Sequence, residues 1–277
     1  MADHATAGDR APGPPSVRVY RRVVRSSLER VWENVRDWEH LPWLHRTTFR
    51  SIECIRSDES GWRAKVEYMP ALGSGTAEVE LDIDLPSLSY VTRTLSGTGA
   101  GTDIITTLES IDAASTKIVV DFRVPDLAPE HATVVGDALE SLYAGLWDED
   151  EAMMKTRQRV LDRERGAAVS EGAVRLGPPG EVRGRAPFLV EIDGHEARVL
   201  AHEGTFLAYS TRCPHLGGPL GDCEIVDGVV ECPWHGYRFD VVGGASSDGR
   251  GLRLGPAFEV VAEADSGDLI LRRKERV

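Results

Sequence analysis

Residues 17–24 alternate apolar and polar positions, with Val17, Val19 and Val23 set against Arg18 and Arg21, the period of a half-buried strand. Ser26 or Ser27 then stands where a hydroxyl caps a helix, although Arg30 replaces the acid that would complete a reciprocal cap. Val31, Trp32, Val35 and Trp38 make the apolar stripe of that helix. Between Phe49 and Val124, strand-like runs are separated by turn signals at Ser60-Gly61, Gly73 to Gly75, Pro86-Ser87, Gly97 to Gly101 and Ala113 to Ser115. From Pro129 to Arg165 the pattern becomes that of a long helix, and Val134, Val135, Leu139, Leu142, Leu146, Met153 and Met154 are its expected buried face. Gly177-Pro-Pro-Gly180 marks a linker over 166–183, and short strands follow it. The order predicts an α+β chain. An antiparallel sheet around a long C-terminal helix occupies 17–165, and an all-β domain occupies 184–277, behind a disordered Ala/Gly/Pro-rich leader over 1–16.

Length and charge narrow the function. The chain has 277 residues, room for two domains each with its own core. A net charge of −13 argues against nucleic acid or an anionic membrane as partner and suits docking to a basic face on a redox protein. No apolar run approaches a membrane span and no secretory signal opens the sequence, so the expected compartment is the cytoplasm. Ser96-Gly-Thr-Gly-Ala-Gly-Thr102 superficially suggests a phosphate loop, but no helix pattern follows, and a hairpin turn is expected instead.

The chemistry is concentrated in Cys213-Pro-His215 and Cys232-Pro-Trp-His235, a C-x-H and a C-x-x-H separated by sixteen residues. Two thiolates can hold one ferric iron while two imidazoles hold a second, which reduces the negative charge of a [2Fe–2S] cluster and raises its potential above an all-cysteine centre. Spacing alone would also allow a Cys2His2 zinc site. Gly217, Gly218 and Gly236 follow the two loops, where backbone is expected to pass close to the sulfurs and donate N–H bonds. With both Cys-Pro loops present, residues 184–274 resemble a Rieske domain, which implies Cys213, His215, Cys232 and His235 as cluster ligands. Gly218 and Trp234 stand where some Rieske domains carry an extra disulfide, so that bridge is excluded. Tyr237 replaces the sulfur-donating Ser of respiratory Rieske proteins, and a low potential is expected.

The first helix supplies a second pattern, Asn34-x-x-Asp37-x-x-His40-x-x-x-x-His45. Asp37 and His40, three apart, are expected on one helical face, and Pro42 is expected to break the helix so that His45 turns back towards His40. Two His and one carboxylate on one face, with open positions beside them, suit a mononuclear ferrous site for oxygen chemistry. Residues 17–165 resemble the START/Bet v 1-like (SRPBCC) helix-grip superfamily, and the motif resembles that of Rieske non-haem iron oxygenases, here with reversed domain order. The resemblance implies His40 and His45 as Fe(II) ligands and Asp37 as the carboxylate carrying electrons from the [2Fe–2S] cluster. The third ligand comes from the acidic run of the long helix. Asp150 is the best match, with Asp148 and Glu151 as alternatives. It further implies O2, a small apolar or aromatic substrate, an NAD(P)H-dependent flavin reductase or ferredoxin as electron donor, and a homo-oligomeric ring of three. The competing reading is a Rieske ferredoxin-type electron carrier fused to a metal-free ligand-binding helix-grip domain. In metal-free helix-grip proteins a Val-Trp…Asp…Pro-x-Trp stretch similar to Val31–Trp43 is common.

Overall fold

The computed structural model describes residues 14–72, 75–166, 172–255 and 257–274. Residues 1–13 of the expected leader, Gly73 and Ser74 of one expected turn, and 167–171 of the expected linker lie outside these. The chain divides into two compact units, Met1–Lys155 and Thr156–Val277.

The first unit starts with β1 (Ser16–Val24), followed by α1 (Leu28–Arg36) and the short α2 (Leu41–Leu44). Ser27 caps α1, its hydroxyl accepting from the Arg30 N–H at 3.3 Å. Six antiparallel strands follow as a meander: β2 (Phe49–Asp58), β3 (Gly61–Tyr68), β4 (Thr76–Asp84), β5 (Ser89–Gly97), β6 (Asp103–Asp112) and β7 (Ser115–Arg123). The sheet order is β1-β7-β6-β5-β4-β3-β2, so the first strand closes onto the last. Strand alternation does the folding: Ile118, Val120 and Phe122 of β7 point inward, as do Ala64 and Val66 of β3 and Val79 and Leu81 of β4. The Gly97–Gly101 stretch is the β5–β6 hairpin connection, as its lack of a following helix pattern predicted.

α3 (Pro129–Gly166) is the long helix. Leu139, Tyr143, Ala144, Trp147 and Met154 pack on the inner face of the sheet, with the Tyr143 ring 4.8 Å from that of Phe122. This strand order around a long helix is a helix-grip fold. One residue of the expected buried stripe departs: Val134 is 69% exposed, while Gly136, two residues on, is the position that lies against Val17 and Arg18 of β1. Leu139, Leu142 and Leu146 are only partly buried because they line a cavity.

The second unit holds three small sheets. β9 (Phe188–Ile192), β10 (His195–His202) and β11 (Thr205–Ser210) form one, and β12 (Ile225–Val226), β13 (Val229–Glu231) and β14 (Arg238–Asp240) another. The third contains β15 (Phe258–Ala262), β16 (Leu269–Arg273) and, within the segment expected as linker, β8 (Ala173–Gly177) paired to β16. α4 (Pro179–Arg185) follows β8 directly. The physical reason lies in the same residues: Leu176 and Val182 bury into this unit's core, and Pro at a helix's first turn sacrifices no hydrogen bond. None of the described helices is long and apolar enough to cross a membrane.

Candidate functional site

α1 ends before the first candidate ligand. Asp37 is its C-cap, with its N–H bonded to the Asn34 carbonyl at 3.1 Å, so Asp37 and His40 do not share a helical face as expected. His40 instead precedes the first turn of α2 and His45 follows its last, their N–H and C=O groups joined to that turn. Pro42 lies within the first turn of α2, where its missing N–H costs nothing. It starts a helix instead of breaking one. The outcome for the imidazoles is nonetheless convergence: their ring centroids are 5.1 Å apart.

Asp150 comes from α3 to meet them. Its Oδ1 lies 3.2 Å from His45 Nε2 and 3.5 Å from His40 Nε2, and it accepts from Asn34 Nδ2 at 3.0 Å. One ligand atom from each of His40, His45 and Asp150 falls within 4.8 Å of the others, and all three residues are buried. One far nitrogen is hydrogen-bonded: His45 Nδ1 is 2.6 Å from Glu149 Oε2, whereas His40 Nδ1 stands 3.5 Å from Asp37 Oδ2, within ion-pair range but without a hydrogen bond. A carboxylate bonded there fixes the His45 ring and leaves its Nε2 facing the site. Asp148 and Glu151, the alternative ligands, turn away from the site and pair with Arg22, each at 2.7 Å. Glu149 is the residue whose part the sequence reading missed. Its one signal is adjacency to Asp150, which places it at the rim of the same helical face.

The electrostatics fit a cation. Burial opposes a charged His40, yet the Asp150 and Asp37 carboxylates outweigh it and push its pKa up to about 10. Burial likewise opposes the Asp150 carboxylate, but His40 and His45 hold it well below the usual carboxylate range. Two imidazoles and a buried carboxylate thus face one another, the donor set that suits a divalent ion with open positions.

These residues form one wall of a cavity of about 370 Å³ between the sheet and α3. Trp62, Val79, Leu81, Leu139, Leu142 and Leu146 supply apolar walls, and Thr92, Thr94, Thr98 and Thr102 supply hydroxyls near the β5–β6 turn. Tyr68, Tyr90 and Tyr143 also line it, and burial raises all three phenols above their ordinary values, keeping them neutral. The volume suits a small organic molecule.

In the second unit, Cys213 and His215 sit in the loop after β11, and Cys232 and His235 in the turn between β13 and β14. The two loops are built alike. Cys213 N–H bonds Gly218 O at 2.9 Å and Cys232 N–H bonds Tyr237 O at 2.8 Å. Gly217 and Gly236 N–H groups return to the carbonyls of Cys213 and Cys232 at 2.9 and 2.8 Å. The glycine N–H groups expected on the sulfurs therefore close backbone turns. The N–H groups on sulfur belong to His215 and Leu216 for Cys213, and to Trp234 for Cys232. Gly217 and Gly236 are required because both have left-handed backbones, at φ +79° and +67°.

The four side chains converge. The Cys213 thiol donates to Cys232, which draws Cys232 below the ordinary thiol value and lifts Cys213. The His215 and His235 rings lie 4.5 Å apart. A Cβ on Gly218 would fall 2.6 Å from Cys232 Sγ, so the cradle under that sulfur is kept open by the missing side chain. This donor set and cradle fit a [2Fe–2S] cluster. None of Cys54, Cys213, Cys223 and Cys232 forms a disulfide.

Comparison with known proteins separates the two units. Residues 172–253 match the family model of the Rieske [2Fe-2S] domain. Apoptosis-inducing factor 3 of Mus musculus is 34% identical over 76 residues, which are 27% of this chain and 13% of that protein. The ferredoxin component of the alkene monooxygenase system of Xanthobacter autotrophicus is 38% identical over 55 residues, 20% of this chain and 45% of that one. The chain thus spans less than half the length of each of these relatives. Among solved structures, the Zhui aromatase/cyclase of Streptomyces sp. R1128 overlays 50% of this chain and 93% of its own, at 16% identity and a TM-score of 0.43. The C-terminal part of the chain is a Rieske [2Fe–2S] domain, a module of iron–sulfur electron transfer, and it follows an N-terminal helix-grip unit.

Proposed function

We propose that this chain is a Rieske-type mononuclear iron oxygenase that oxidises a small apolar or aromatic molecule. One observation carries the reading: His40, His45 and Asp150 converge, buried, on the wall of an apolar cavity in a chain that also holds a Rieske domain. Ferrous iron bound by His40, His45 and Asp150 would supply O2 activation, and a cluster bound by Cys213, His215, Cys232 and His235 would supply single electrons from a reductase or ferredoxin.

The remaining steps belong to the protein. His40 and His45 would present Nε2 to the ion, with Glu149 bonded to His45 Nδ1 and Asp37 standing 3.5 Å from His40 Nδ1. Asn34 fixes the Asp150 oxygen that both imidazoles face. Asp37, against His40 Nδ1, is the residue on which the electron route to the site is placed. The leucine and tryptophan walls exclude water and orient the substrate, and the threonine hydroxyls offer hydrogen bonds to a polar substituent.

The likeness to a ferredoxin component favours a second reading, an electron carrier whose helix-grip unit binds a ligand without metal. Iron and acid-labile sulfide per chain, measured on anaerobically purified protein after ferrous reconstitution, separate the two. The oxygenase reading expects about three irons per two sulfides in the wild type and about two in His40→Ala/His45→Ala. About two irons in both would overturn it and leave the electron carrier.

A further inference from the structure

Tyr237 links a cluster-loop histidine to an arginine. Its ring stacks on the His215 imidazole at 4.5 Å between centroids and 22° between planes, and its hydroxyl accepts from Arg250 Nη1 at 2.6 Å. The Arg250 guanidinium also lies over the same ring, 3.9 Å from its centroid. Tyr237 is buried, so the guanidinium is held against a low-dielectric surface that leads directly to a cluster ligand. A turn prepares the arrangement: Asp248 Oδ1 accepts from the Arg250 N–H at 3.2 Å, and Asp248 Oδ2 lies 3.3 Å from Arg250 Nε.

We infer that Arg250 is a positioning residue that raises the reduction potential of the cluster by holding a positive charge on the Tyr237–His215 stack. Reduction adds one electron, and one unit of negative charge, to a cluster held by His215. A fixed cation against the stacked ring stabilises that reduced state more than the oxidised one. Two features limit the effect. Arg250 is 43% exposed, so salt screens it, and Asp248 cancels part of its charge. The inference rests on the Rieske domain alone and stands or falls independently of the iron site near His40.

The test is a redox titration of the full chain carrying its cluster, followed by electron paramagnetic resonance and checked by iron and sulfide content. Arg250→Gln is expected to lower the midpoint potential with the cluster retained, and Arg250→Lys to keep part or all of the wild-type value. Asp248→Asn, which keeps the acceptor of the turn and removes its charge, is expected to raise the potential. The gap between wild type and Arg250→Gln should narrow as ionic strength rises. An unchanged potential in Arg250→Gln, or a fall in Arg250→Lys as deep as in Arg250→Gln, overturns the inference. If Arg250→Gln fails to hold its cluster, Asp248→Asn decides alone: an unchanged or lowered potential overturns it.

Discussion

Replacing Glu149 by alanine is expected to weaken ferrous binding at His40, His45 and Asp150 while leaving the fold intact. The carboxylate touches the site through a single bond, Oε2 to His45 Nδ1 at 2.6 Å. Losing such an outer partner of a ligating imidazole costs about 10- to 100-fold in metal affinity. Glu149 is 39% exposed, so water can replace part of what it provides, and the lower end applies. The expected loss is about tenfold, or roughly 1.4 kcal/mol. Glu149→Gln, which keeps an acceptor for the ring N–H but not the charge, should fall between the two. Asp148→Asn is the matched control, since Asp148 is 71% exposed and faces Arg22 from one position away on the same helix. Anaerobic calorimetric titration with ferrous ion gives the affinities. Wild-type affinity in Glu149→Ala, or an equal loss in Asp148→Asn, would refute the assignment of Glu149 to the site.

Two further outcomes follow from packing. Gly218→Ala should lose most of its cluster, because the new Cβ would press within 2.6 Å of Cys232 Sγ and 3.3 Å of the Trp234 ring. Gly180→Ala, with nothing within 4 Å of its Cβ, should retain its cluster, and sulfide analysis of both variants checks the contrast. Trp62→Phe removes the indole N–H that donates to the Val35 carbonyl at 3.1 Å and leaves that buried acceptor unmet. It should cost about 1–3 kcal/mol in chemical denaturation, and a loss below about 0.5 kcal/mol would show that the bond does not tie α1 to the sheet.

The outline of the helix-grip unit was legible because its strands alternate cleanly and its turns carry Gly, Pro and Ser. β7, with Ile118, Val120 and Phe122 inward, is such a strand. Val134 misled because the side of α3 that meets β1 is the one carrying Gly136, which lies against Val17 and Arg18, while Val134 is exposed. The segment 173–185 misled in the opposite sense. Gly177-Pro-Pro-Gly180 reads as punctuation, while the burial of Leu176 and Val182 depends on a core assembled from strands far along the chain.

The candidate cluster residues were legible in the sequence, because Cys-Pro-His and Cys-Pro-Trp-His are local turns whose chemistry needs only their own residues and glycines. The proposed metal-site residues were only half legible that way. His40 and His45 flank one short helical turn, so their mutual approach is a local matter, although the geometry of Pro42 within it differs from the expected break. Choosing Asp150 over Asp148 and Glu151 required the packed helix. The three acids lie within one turn of α3, and rotation about its axis decides which meets the imidazoles and which meets Arg22. The Arg250–Tyr237–His215 stack likewise belongs to tertiary structure alone. Sequence carries the periodicity and the donor atoms; which of them share a space is set by burial, which sums contacts over the whole chain.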